Sequence, residues 1–519
     1  MPLFYFNRRN SDGESSNSFY GQTPTGKAFS DAPIQQEEGE ASSLAAYKSN
    51  YEKLPLHLKS CLDYIYILSR NCYWEKGNIV RLLLAQGLIP EEPGELMEDT
   101  ASNIIMELIG LGMLQEHCLF WSIVKVPEFY GKSCVIEVEE HDFVAKVATL
   151  PIHALIYNDE KDILPNFKTL PIRSLFDRSF RAFSQVYLQT VCALQFMLVL
   201  DLFGNIDNLP DEVGNLVHFR YLGLSSTNIK KLPNTIGNLQ KLQTLELEST
   251  NLHQLPKEIL NITQLRHLLL NPYGGIRVPR GIGTLVNLHT CAGVYANATF
   301  ASELSTLTHL QNLDVRNVSE DHASELFAAI FKLENLVSLS LNAENTYLGT
   351  PLPELESFSP PPHLQELCLR GGLFEMPNWL ASIENLTNLE LRDSNLLENP
   401  SSVLQFLPKL KHLILVEAYK AKIIGKEFCE AGGYPQLETL TISSEDLVEW
   451  IEIVNGAFPS LRMLALSSCQ NLRFLPEGLQ HISTIQKLFL GHFHGDLARR
   501  LRGKENYKIK HISNLIITE

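Results

Sequence analysis

Apolar positions recur along most of this chain in one unit, LxxLxL. It begins at Met197 (MLVLDL), Phe219 (FRYLGL), Leu242 (LQTLEL), Leu265 (LRHLLL), Leu288 (LHTCAG, degenerate) and Leu310 (LQNLDV). It continues at Leu336, Leu364, Leu386, Leu410, Leu437, Leu461 and Ile485, which makes thirteen units with a mean step of 24 residues. Three units share a second half: IDNLPDEVGNL from Ile206, IKKLPNTIGNL from Ile229 and LHQLPKEILNI from Leu252. Two weaker units precede them, at Ile152 (IHALIY) and Ile172 (IRSLFD). Upstream the period changes to that of helices. One apolar stripe runs through Leu56, Leu58, Cys61, Leu62, Ile65 and Leu68, and a second through Ile79 and Leu82–Leu84 as far as Gly87 and Pro90. A third runs from Leu96 through Ala101, Ile104, Ile105, Leu108 and Ile109 to Gly112. Phe120–Val126 and Ser133–Val138 alternate in the strand manner around Gly131, which predicts a hairpin.

The repeat dictates its own architecture. The first, fourth and sixth positions of a unit point inward from one turn of a coil. One coil cannot cover its own apolar face, so neighbours must stack. A step of about 20–29 residues is that of a leucine-rich repeat. Each LxL then forms a short strand in a parallel sheet on the concave side, with the intervening x side chains exposed on that surface. Thr227-Asn228 and Thr250-Asn251 follow the strand and are placed to bond backbone groups in the turn. The expected fold is α/β: a leucine-rich-repeat solenoid over 151–519, preceded by a small α+β domain of the winged-helix type over 51–150. Residues 1–50 are rich in Ser, Gly, Asn, Pro and Glu without an apolar period, which predicts disorder.

Composition narrows the function. The chain carries 59 acidic and 43 basic side chains, a formal net charge of −16. A phosphate backbone would repel it, which argues against nucleic acid as a partner. The nine cysteines form no CxxC pair and no metal-spaced cluster, so buried reduced thiols in the cytoplasm are expected. The N-terminus has no long apolar stretch of the secretory kind, and Val191–Phe203 is too short to span a bilayer.

The upstream segment resembles plant intracellular immune receptors of the NB-ARC leucine-rich-repeat family, the NLR disease resistance proteins. The resemblance rests on LPLHLKSCLDYIYIL from Leu54, IVRLLLAQGLI from Ile79 and LMEDTASNIIMELIGLGMLQ from Leu96, and on the LPxxIGNL half-units. It departs from the family at Ser69-Arg70-Asn71, where an acidic FPED would stand, and at Leu82–Leu84, where the family has a tryptophan. Only about 50 residues stand ahead of this segment, so the family's nucleotide-binding domain is expected to be missing. The resemblance implies a role in plant defence, with the repeats binding a pathogen protein, a guarded host protein or a full-length receptor; the alternatives are a fragment of an ADP/ATP-switched receptor and an independent leucine-rich-repeat scaffold without immune role.

Candidate chemistry is sparse. Gly131-Lys132-Ser133 echoes a phosphate loop, but Val126 stands where the first glycine belongs. His141 and Asp142 match, by resemblance, the family's Met-His-Asp motif, whose histidine reaches bound ADP; without a phosphate loop they are expected to be vestigial, and no cofactor is expected. No GxSxG or HExxH occurs, so no enzyme activity is expected. The second helix offers Arg81 and Lys76 but also Glu75, and Glu91, Glu92 and Glu95 follow closely, so the segment has no basic stripe for DNA. The histidines, such as His267 and His289, fall at repeat positions expected to be surface. The concave x positions remain. Glu246, Glu248, Arg266, Asp314, Arg316, Glu390 and Arg392 are the expected partner-binding residues, because stacked opposite charges suit a polar protein-binding face.

Overall fold

The structure is a computed structural model and describes residues 47, 49–69, 74–117, 123–125, 135–137, 152–156, 171–179, 182–344 and 350–518. The segment expected to be disordered lies outside the described residues up to 46, as do Gly131–Ser133, His141 and Asp142. The chain divides into two compact units, 1–133 and 134–519.

In the first unit, helix α1 (Leu56–Ser69) buries Leu58, Cys61, Leu62, Ile65 and Leu68 of the expected stripe, but Leu56, in its first turn, is 82% exposed. Trp74 opens strand β1 (Trp74–Glu75), and its indole N–H donates to the carbonyl of Leu68 at 2.6 Å. Helix α2 (Lys76–Gln86) stops at Gly87, whose φ of 69° suits a residue without Cβ and whose N–H donates to Leu84 O at 2.9 Å. Helix α3 (Met97–Gly110) carries Glu98 and Asp99 in its first turn, where the helix dipole favours carboxylates. Strands β2 (Gln115–His117) and β3 (Ile123–Lys125) complete an antiparallel sheet of order β1-β3-β2.

The expected hairpin between Phe120–Val126 and Ser133–Val138 is not what the described residues form. Ile123–Lys125 pairs with β1 and β2. Val135–Glu137 pairs in parallel with Ile152–Ile156 and belongs to the second unit. Alternation marks a strand but does not choose its partner. The boundary therefore falls near 133 rather than near 150.

The second unit is a solenoid. Among the described residues, seventeen strands make one parallel sheet. Each strand pairs with the next along the chain, from Val135–Glu137 to Asn514–Thr518. The end strands have one neighbour each in these pairings, so the sheet is an open arc. All thirteen LxxLxL units supply a strand, as do the weaker units at Ile152 and Ile172. The inward positions are sealed: Leu242, Leu245 and Leu247 have no exposed surface, and neither do Leu265 and Leu268. One continuous apolar core runs from Ala154 to Ile512.

The turn chemistry follows the sequence. Thr227 and Thr250 are buried, and their hydroxyls donate to Leu224 O at 2.8 Å and Leu247 O at 2.9 Å. On the convex side the LPxxIGNL halves form 3₁₀ turns over Asp211–Asn215, Asn234–Asn238 and Lys257–Asn261, each preceded by its proline. The glycine of that motif is a packing requirement. A Cβ on Gly214 would lie 2.6 Å from Thr235 O, and one on Gly237 would lie 2.6 Å from Glu258 O in the next coil.

Candidate functional site

The concave face is a grid of side chains in register, three rows deep. One row passes through Ser338, Glu366 and Asn388, a second through Ser340, Cys368 and Glu390, and a third through Asn342, Arg370 and Arg392. Its exposure changes along the arc. Toward the first strands, Ser174, Val199, Asp201, Tyr221, Thr244, Glu246 and His267 are buried. From Asn312 onward most outward positions are half-exposed, among them Asp314, Glu366, Arg370, Arg392, His412, Met463 and Lys487.

The buried carboxylates of the first half are bound inside the molecule. Asp201 accepts from Arg178 at 2.6 Å. Its pKa is raised, chiefly by burial, although Arg178 pulls the other way. Glu246 accepts from the Tyr221 hydroxyl at 2.5 Å. Asp177 accepts from the hydroxyls of Tyr187 and Ser179.

The second half gathers a denser network. Arg316 donates to Asp314 through Nε at 3.1 Å and Nη2 at 2.6 Å, and through Nη1 to Asn342 Oδ1 at 2.9 Å. The Asn342 amide returns to Asp314 Oδ1 and Ser340 Oγ, both at 2.9 Å. Arg370 donates to Asp393 at 3.1 Å, and Arg392 closes an ion pair with Glu390. Burial pulls the Arg392 guanidinium down to about 10 and raises the thiol of Cys368 between these strands. Farther along, Lys411 and Glu438 stand 3.6 Å apart, with the lysine well exposed.

The expected partner-binding residues thus separate into two sets. Asp314 with Arg316 and Glu390 with Arg392 form two ion pairs, each within one strand and three strands apart along the sheet. Glu246 sits apart, beside Tyr221, and Glu248 lies past the end of its strand. Arg266 precedes its strand, where its carbonyl accepts the N–H groups of His289 and Thr290. Contrary to expectation, Glu246, Arg316 and Glu390 are not open to a partner; they are buried. Sequence alone marks an x position as outward but cannot show that its neighbour in the next coil covers it. The histidines differ too: His267 and His289 are buried, their rings tilted at a spacing of 6.5 Å, and His289 stacks on His309 at 6.1 Å. Asn342, the hub of the network, went unrecognised, although its place two residues after Ser340 in the same strand puts it on the same face.

No helix among the described residues is long and apolar enough to cross a membrane. No group of three or more His, Cys, Asp or Glu among them is placed to hold a metal ion.

Comparison with known proteins agrees with the repeat. The family described as "Leucine-rich repeat region" matches residues 176–510. The disease resistance protein RPM1 of Arabidopsis thaliana is 30% identical over 498 residues, covering 89% of this chain and 52% of that protein. The disease resistance protein RPP8 of the same plant is 27% identical over 496 residues, covering 90% and 54%. The chain spans about half the length of the curated relatives it matches. Among solved structures, a leucine-rich-repeat protein of Leptospira interrogans is 20% identical, with a TM-score of 0.41, over 68% of this chain and 93% of that one. The ectodomain of the Arabidopsis receptor kinase GASSHO1/SCHENGEN3 is 17% identical, with a TM-score of 0.42, over 85% and 56%.

Proposed function

Since the chain belongs to the leucine-rich repeat region family and its curated relatives are disease resistance proteins, we propose that it is a non-enzymatic recognition module in plant defence. The partner is a protein: a pathogen protein, a guarded host protein or a full-length receptor of the same kind. Binding uses the concave face, and specifically its second half. One observation carries this reading: outward strand positions are buried from Ser174 to His267, whereas from Asn312 to Lys487 most are half-exposed and many are polar, with Arg316, Asn342 and Glu390 among the buried exceptions. Such a face suits the polar, charge-matched contacts of protein recognition. The cytoplasm is the proposed compartment. Cys61, Cys192, Cys291, Cys429 and Cys469 are buried free thiols, which fits a reducing environment.

The test is affinity capture of partners from native tissue with the full chain and with Lys411→Glu/Arg462→Glu, two exposed positions of the second half. A partner retained by the wild-type chain and lost by the variant supports the reading. Equal retention by both removes the concave face from it.

A second reading is favoured by the extent of the match, about nine-tenths of this chain but about half of each relative. In it the chain is part of a longer receptor switched by ADP and ATP. A GxxxxGK[ST] motif encoded upstream of Met1 in the transcript decides for it.

A further inference from the structure

The solenoid has a second candidate surface, away from the concave sheet. A cavity of about 400 Å³ opens on its lateral edge, where the chain leaves the strands Ser338–Ala343 and Glu366–Arg370. That volume falls in the range of about 300–1,000 Å³ typical of binding sites. Its floor is apolar and buried, formed by Leu352 and Leu355 with half-buried Leu373 beside them. Its rim is acidic: Glu320, Glu354, Glu356 and Glu375 line it, and no basic side chain does. None of these four carboxylates makes an ion pair among the described residues.

The cavity is held in shape from behind. The Trp379 indole donates to Leu355 O at 2.7 Å. Trp379 packs edge-on against Phe358 at 5.1 Å, and Phe358 against Phe327 at 5.2 Å. The backbone N–H of Glu354 donates to Glu320 across the rim at 3.1 Å. A site fixed in this way loses little conformational freedom on binding.

The apolar surface extends beyond the cavity. Phe374 stands at the lip, 79% exposed. Leu397 occupies the equivalent place one coil on and is 85% exposed. The equivalence follows from the backbone: Leu373 N–H donates to Ser394 O, and Leu396 N–H donates to Ala418 O, both at 2.9 Å. Two large apolar side chains this open, beside a cavity ringed by carboxylates, have no packing role in the solenoid itself.

The geometry points to this edge as a docking site for a basic peptide segment of another protein, one that seats a large apolar side chain in the cavity and sets arginine or lysine against the glutamate rim. Charge complementarity selects the occupant. An acidic or neutral segment would leave four carboxylates facing a desolvated contact. The site is separate from the concave face, so the two can be lost independently.

The experiment is fluorescence anisotropy with the full chain and a labelled peptide of two central leucines flanked by paired arginines, beside a second peptide with glutamates in place of the arginines. Phe374→Ser and Glu354→Lys/Glu375→Lys alter the site at exposed positions. Glu334→Lys/Glu384→Lys makes the same charge change at exposed positions elsewhere. Each site variant is expected to bind the arginine peptide about ten-fold or more weakly at an unchanged melting temperature. The off-site control should stay within about two-fold of wild type, since isolated surface charges contribute little. The proposal is overturned if the control weakens as much as the site variant, if the site variants bind like wild type, or if the glutamate peptide binds as well as the arginine one.

Discussion

The Tyr221 hydroxyl reaches across from one coil to the next and donates to the Glu246 carboxylate at 2.5 Å, with both residues buried. Pattern alone puts Glu246 on an open binding face. Its partner makes it part of the fold. Tyr221→Phe is expected to leave a buried acceptor short of a donor and to cost about 1–3 kcal/mol. Glu246→Lys should cost more, because it sets an unmatched charge in the same place. Thermal unfolding followed by circular dichroism measures both. A melt for Glu246→Lys that coincides with wild type would show the position to be free surface after all.

The contrast between what pattern shows and what it hides is physical. The period of 24 residues forces the stacked coil, because leucines such as Leu242, Leu245 and Leu247 have nowhere else to be buried. The helix ending at Gly87 and the threonine turns at Thr227 and Thr250 were legible for the same reason, since each depends on residues a few positions apart. The expected hairpin failed because the partner of Val135–Glu137 lies at Ile152–Ile156, a choice made by the sheet and not by the strand. The concave face was legible as rows of outward positions but not in its exposure. Arg316 and Glu390 close on Asp314 and Arg392 within their own strands, and alternation carries no information about such closure. The lateral cavity had no signal at all, since it joins Glu320 to residues more than thirty positions away.

Coil spacing gives a second prediction. A Cβ on Gly237 would meet the carbonyl of Glu258 at 2.6 Å, and backbone cannot move aside as a side chain would. Gly237→Ala is expected to destabilise by about 1–3 kcal/mol by forcing neighbouring coils apart. Gly274→Ala, where nothing lies within 4 Å, serves as the control and should stay within about 0.5 kcal/mol. Chemical denaturation of the two variants side by side measures the difference. Equal midpoints would mean that the convex turns have slack.

Function and stability are expected to separate at Lys411. Its side chain is 46% exposed and its ion pair with Glu438 spans 3.6 Å. Surface pairs of this kind contribute about 0–1 kcal/mol. Lys411→Glu should therefore leave the melting temperature within a degree or two of wild type while weakening a concave-face partner. Calorimetry of unfolding and a binding titration on the same preparation test this. A large loss of stability would mark Lys411 as structural and move recognition elsewhere.

One titration should be visible in the fold itself. His153 lies in the strand Ile152–Ile156, with Nδ1 3.1 Å from Ser174 Oγ in the next coil. Burial, helped by the positive charge of Arg173, lowers its pKa to about 4 from 6.5. The folded state thus keeps the ring neutral over a range where the unfolded chain takes up a proton. The sign follows from linkage: this contribution to stability is whole above pH 6.5 and is lost progressively as the pH falls to about 4. His153→Gln keeps a polar group beside Ser174 but cannot titrate. Its melting temperature should therefore fall less steeply than that of the wild-type chain between these limits. Parallel slopes for the two proteins would place the proton uptake on other groups and leave His153 as solvated in the folded chain as in the unfolded one.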